Sequence, residues 1–127
     1  MDRKFILTSF IYAIIGLVLG IFMAASKDTG HMVTHAHIML IGFVVSFIYG
    51  LCHKLWLDNI DSKLSLAQFY IHQVGTFGVL TGLFLYYGKF VSIETIDPVL
   101  AISSITVLLA MVLMTVLFVK SNNNSML

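Results

Sequence analysis

Four apolar runs of membrane-spanning length, separated by short polar stretches, constrain this chain more than any other feature. They fall at about residues 5–25, 33–57, 64–87 and 98–119. A helix rising about 1.5 Å per residue needs about 20 residues to cross a hydrocarbon core about 30 Å thick. The 127 residues therefore hold four spans with short connections, as a single domain over 1–127. Charged residues make up 10% of the chain and the mean hydropathy is +0.99, whereas a water-facing domain carries about 25% charged residues. The expected fold is all-α, an integral membrane four-helix bundle.

Local chemistry sets the ends of these runs. The first is longer than the apolar core of a secretory signal, which runs to about 7–15 residues, so it reads as a span. Gly16 and Gly20 form a small-xxx-small pair suited to close helix packing. Trp56 closes the second run as an interfacial anchor, and Tyr86, Tyr87 and Lys89 close the third as an aromatic belt with a snorkelling cation. Asp97-Pro98 reads as a cap followed by proline at the first helical position, and residues 121–127 as a polar, frayed tail.

Four spans put both termini on one side. That side carries Arg3, Lys4, Lys54, Lys63 and Lys120, against Lys27 and Lys89 opposite. The positive-inside rule then predicts a multi-pass protein of a bacterial-type inner (cytoplasmic) membrane with both termini cytoplasmic. The dispersed cations and a net charge of +1 give no case for nucleic acid. Cys52, the single cysteine, excludes an internal disulfide and reads as a packing residue. Asp58 and Asp61 read as solvated loop charges.

The chemistry is carried by histidine. An imidazole inside a membrane segment needs a partner, whether a metal, a haem iron, a hydrogen-bond acceptor or water, because leaving it unpaired in hydrocarbon costs several kcal/mol. In a regular helix His35 and His53 lie five turns apart on one face with Gly42, Ser46 and Tyr49, and about 27 Å separates them, so they belong to different sites. His37 projects about 160° from His35, so one regular helix cannot aim both at a single metal. His53 and His72 lie at similar depths on neighbouring antiparallel spans, where they could grip one iron or hydrogen-bond to each other. Thr76, Val79 and Gly75 flank His72 and leave room for a flat macrocycle or for a packed helix.

The run His35-Ala36-His37-Ile38-Met39-Leu40 resembles the second-helix motif of subunit I of the haem-copper oxidase and nitric oxide reductase superfamily. It is also similar to small membrane proteins related to that subunit, which carry a His-Ala-His-Leu-Asn-Leu-Leu-Gly pattern and a later His-x-x-Gly. His72-Gln73-Val74-Gly75 matches the latter. The resemblance implies haem binding with His35 as the axial ligand, and places His37 where the oxidases have a non-ligand. The chain has no counterpart of the oxidase copper site, neither the His-His pair nor the His-x-x-x-Tyr.

The resulting expectation is a small membrane cytochrome binding haem b for electron transfer or for a diatomic gas such as NO or O2. His35 and His72 are the lead ligands to the haem iron, and His37 and His53 the secondary ones. No Cys-x-x-Cys-His is present for covalent attachment. The outer group of histidines lacks a partner on another span, so a homodimer is expected, with membrane lipid as the other partner. The alternatives are a copper- or zinc-binding membrane protein using His31, His35, His37 and nearby Met, or a cofactor-free accessory subunit. Catalysis is not expected, since the six acidic residues all lie in the N-terminal segment or the loops.

Overall fold

A computed structural model describes residues 1–57 and 62–125. Asp58 and Asp61 lie outside the described residues. The described chain is all-α. Helix α1 (Asp2–Ser26) is followed by α2 (Met32–His37), a π-helical stretch (Ile38–Val45) and α3 (Ser46–Leu55), which together form one rod. Helices α4 (Ser62–Tyr87) and α5 (Ile93–Ser125) complete four antiparallel rods.

Small residues decide how closely the rods approach. A Cβ on Gly42 would meet the Tyr12 ring at 2.7 Å, and one on Gly50 would meet Ile6 at 2.6 Å, so α1 lies tightly along the second rod. Gly16 and Gly20 serve the same contact, facing Met39 and the His35 ring within this chain. Gly75, Gly78 and Gly82 do the same for α4 and α5, against Val107, Ser103 and Leu100. The fold is thus two helical hairpins. Tyr12 links them by donating a hydrogen bond to Gln73 Oε1 at 3.0 Å, while Gln73 Nε2 donates to Thr8 Oγ1 at 3.3 Å.

Three boundaries differ from the sequence expectation. Helix α5 starts at Ile93 and not at Pro98, because Ser92 caps it: the Thr95 amide donates to Ser92 Oγ at 3.4 Å and the Ile96 amide to its carbonyl at 3.2 Å. Pro98 lies inside the helix, near its start, where it removes one backbone donor. The helix also continues through Ser125, and Ser121, expected in a frayed tail, is buried and donates to the Trp56 carbonyl. The third correction is the π stretch, in which Ser46 Oγ reaches the Ile41 carbonyl five residues back at 3.5 Å.

At one end of the bundle lie Met1, Leu57 and Leu117 around the buried Phe5 ring, which meets Tyr49 and Phe69 edge-on at 5.4 and 4.9 Å. This terminal end holds Met1 and the last turns of α5 up to Ser121. The opposite, loop end holds the αL caps Lys27 (φ 58°) and Lys89 (φ 65°).

Among the described residues, 34 large apolar side chains are exposed. Three rods, Asp2–Ser26, Met32–Leu55 and Ile93–Ser121, are long and apolar enough to cross a membrane. Helix α4, expected as an apolar span over 64–87, is as long but less apolar, because it carries Ser65, Gln68, His72, Gln73 and Thr76. Four of these, at i, i+3, i+7 and i+11, are buried, while Leu66, Tyr70, Val74 and Phe77 on the other side are exposed. Its polar face points inward and its apolar face outward, the reverse of a helix that packs in water.

Candidate functional site

The histidines separate into two regions. In the interior, His72 is fully buried, its Nε2 paired with the Ser46 hydroxyl at 2.8 Å. Thr76 Oγ1 lies one turn on, at 3.4 Å from the same nitrogen. The Tyr49 ring meets His72 edge-on at 5.0 Å. His53 is 7% exposed and stacks on Phe5 at 5.5 Å, and its Nε2 has no hydrogen-bond partner among the described residues. The same Phe5 ring lies 6.1 Å from His72. Phe5 therefore fills the space in which a macrocycle shared by His53 and His72 would sit, and Ser46 occupies the His72 nitrogen. These two histidines come together around one ring but do not fit a haem between them as packed.

At the loop end the geometry is different. His35 Nδ1–H donates to the Gly16 carbonyl at 2.8 Å, which fixes the tautomer and leaves Nε2 with its lone pair. His37 Nδ1–H likewise donates to the Val33 carbonyl at 2.8 Å, one turn back on its own helix. The two imidazoles bond to different elements. The expected shared face of the second rod is also only partly kept. His35, Gly42 and His53 touch α1, Tyr49 meets Phe5 of α1 and also hydrogen-bonds the Met111 sulfur of α5 at 3.6 Å, and only Ser46 turns to α4. The π stretch between His37 and Ser46 breaks the regular phase on which that expectation rested.

His31, which the sequence reading assigns only to the copper or zinc alternative, lies on the wall of a groove. The groove, of about 700 Å³, opens where α1, the start of α2 and the end of α4 meet, with apolar walls that include Ile15, Val18, Phe22, Phe84 and Phe90. Asp28, His31 and Lys89 bring polar groups to it. His31 stacks on Phe84 at 4.8 Å with an interplanar angle of 9°, and its Nδ1 lies 3.2 Å from Thr34 Oγ1, which leaves Nε2 unengaged in that contact. The sequence signal was weak, since Thr34 three residues on and an aromatic end to α4 suggest little until the rods are assembled.

Among the described residues no group of three or more His, Cys, Asp or Glu gathers to hold a metal ion. No protein-family model, no curated protein and no solved structure matches this chain. The groove has the volume of ordinary ligand pockets, which run to about 300–1,000 Å³, and its charged or titratable lining includes Asp28, His31 and Lys89.

Proposed function

We propose that this chain is a small multi-pass membrane protein that binds haem b at the loop-end groove, for electron transfer or for binding a diatomic gas. The observation that carries the reading is the coincidence of an apolar groove of about 700 Å³ with the His31 imidazole on its wall and Lys89 at its edge. Haem would supply the redox change or the gas-binding position. His31, on the groove wall with Nδ1 toward Thr34, would hold the iron through Nε2; His35, with Nδ1 committed to Gly16 and its ring against Gly20, does not line the groove. Lys89 suits the carboxylates of the cofactor.

Membrane residence is part of the proposal. Moving exposed apolar surface from water into lipid is favourable by about 25 cal/mol per Å², and 34 large apolar side chains among the described residues are exposed. Four spans with the terminal end in the cytoplasm satisfy the distribution of Lys and Arg. A homodimer would provide a second outer ligand. Gly16 and Gly20 do not argue for it, because Met39 and His35 of the same chain already fill that surface.

The test is a visible spectrum of protein purified in detergent after expression with a haem precursor. A strong Soret band at near one haem per chain is the expected result. A protein that stays colourless, and that haemin does not load in reconstitution, ends the reading in favour of a cofactor-free subunit.

A further inference from the structure

A second groove, of about 440 Å³, runs between α1 and α3 at the terminal end of the bundle. Gly50 is buried in its lining, where a Cβ would meet Ile6 Cδ1 at 2.6 Å and the Asp2 carbonyl at 3.3 Å. That contact and the Phe10–Phe47 ring pair at 6.1 Å fix the antiparallel register of the two helices. Arg3, Leu7 and Phe10 of α1 line one side, at i, i+4 and i+7, and Leu51 and Lys54 of α3 the other, all five exposed.

The groove is sorted by polarity along its length. Arg3 and Lys54 stand at the outer end, and Leu7, Leu51 and Phe10 follow inward. Asp2 also lines it, but its carboxylate lies 3.8 Å from the Met1 ammonium, which offsets its charge, whereas neither Arg3 nor Lys54 makes an ion pair among the described residues. The groove therefore keeps a net positive charge at one end of an apolar surface. A ligand complementary to it has one anionic head and an apolar chain.

We infer that this groove binds one anionic phospholipid, with its phosphate between Arg3 and Lys54 and an acyl chain over Leu7, Leu51 and Phe10. The inference rests on the membrane residence proposed above and is independent of haem. A guanidinium takes two phosphate oxygens at once and an ammonium adds a point charge, and the long stems of both side chains let their heads reach the headgroup layer from an apolar depth. The apolar part of the contact is open to any phospholipid, so selectivity comes from the head. A zwitterionic lipid brings its own cation to its phosphate and gains less from Arg3 and Lys54. Lys4 is exposed at the same level but does not line the groove, so it feels the same membrane surface without touching the ligand.

The experiment is native mass spectrometry of the full chain released from detergent containing equal amounts of phosphatidylglycerol and phosphatidylcholine with matched acyl chains. One phosphatidylglycerol per chain is expected to be retained in preference to phosphatidylcholine. Arg3→Gln and Lys54→Gln should each cut that preference about fivefold, the contribution of one cation near an anionic headgroup, while Lys54→Arg and Lys4→Gln keep it within about twofold. Equal retention of the two lipids overturns the site, as does a loss in Lys4→Gln as large as in Lys54→Gln, which would show a general surface charge and no groove. Displacement of the lipid by inorganic phosphate at the same concentration would show an ion site and also overturns it. Flotation with phosphatidylcholine vesicles tests the underlying reading separately. A chain that does not float with them is not a membrane protein, whereas one that floats and shows no headgroup preference loses this site alone.

Discussion

Ser46 Oγ and His72 Nε2 lie 2.8 Å apart, and this pair is the buried side chain-to-side chain hydrogen bond that joins the second rod to α4. Ser46 begins the α-helical half of its rod, directly after the π stretch, so its hydroxyl is placed by the point where that stretch ends. Ser46→Ala leaves an imidazole nitrogen buried with only the distant Thr76 hydroxyl beside it. A loss of about 1–3 kcal/mol is expected, read by thermal or denaturant unfolding in detergent. A change within 0.3 kcal/mol, as is ordinary at surface sites, would show the pair to be energetically idle.

The glycine contacts make a second, independent prediction. Gly42→Ala drives a methyl into the Tyr12 ring, and Gly78→Ala drives one into Ser103. Each is expected to cost about 1–3 kcal/mol as overpacking. Gly30→Ala, whose added carbon comes no closer than 3.1 Å to the exposed carboxylate of Asp28, should change stability far less. Equal effects at all three positions would contradict the close approach of the rods.

Lys27 caps α1 at φ 58°, a conformation that a side chain makes costly and glycine adopts freely. Lys27→Gly should therefore raise stability by about 0.5–1 kcal/mol in detergent unfolding. A fall would mean that the lysine side chain contributes more than its backbone strain removes.

Sidedness is tested by single cysteines in a Cys52→Ser background, at exposed Thr29 and exposed Lys120. Under the proposed topology, a membrane-impermeant maleimide should label the first from the outer side and the second only after permeabilisation. Labelling of both from one side would contradict four spans.

For the proposed haem, His31→Ala should remove most of the Soret absorbance. His35→Ala, outside the groove lining, should leave it in place, and His72→Ala should leave it in place while lowering stability. Full haem content in His31→Ala with loss in His72→Ala would move the ligand to the interior and require Phe5 to rotate out.

The number of rods and most of their length could be read from the sequence, because an apolar run of more than 20 residues has few other solutions. The two ends of α5 were less legible. Pro98 looks like a first helical residue until Ser92 is seen bonding to the Thr95 amide. The π stretch was invisible, since Ile38-Met39-Leu40-Ile41-Gly42-Phe43-Val44-Val45 has the same apolar character in either helical form. His72 announced itself as a polar residue in an apolar run, and Ser46 was on the face examined. His31 did not stand out, because its groove exists only where three rods end together.

The π stretch also makes the second rod a two-part shaft. Its inner part is pinned by Ser46 to His72 and by Tyr49 to Met111, while its outer part is pinned by His35 to Gly16. The two parts of one rod thus answer to different neighbours, so a substitution that loosens α1 should disturb the outer part first and leave the Ser46–His72 pair in place.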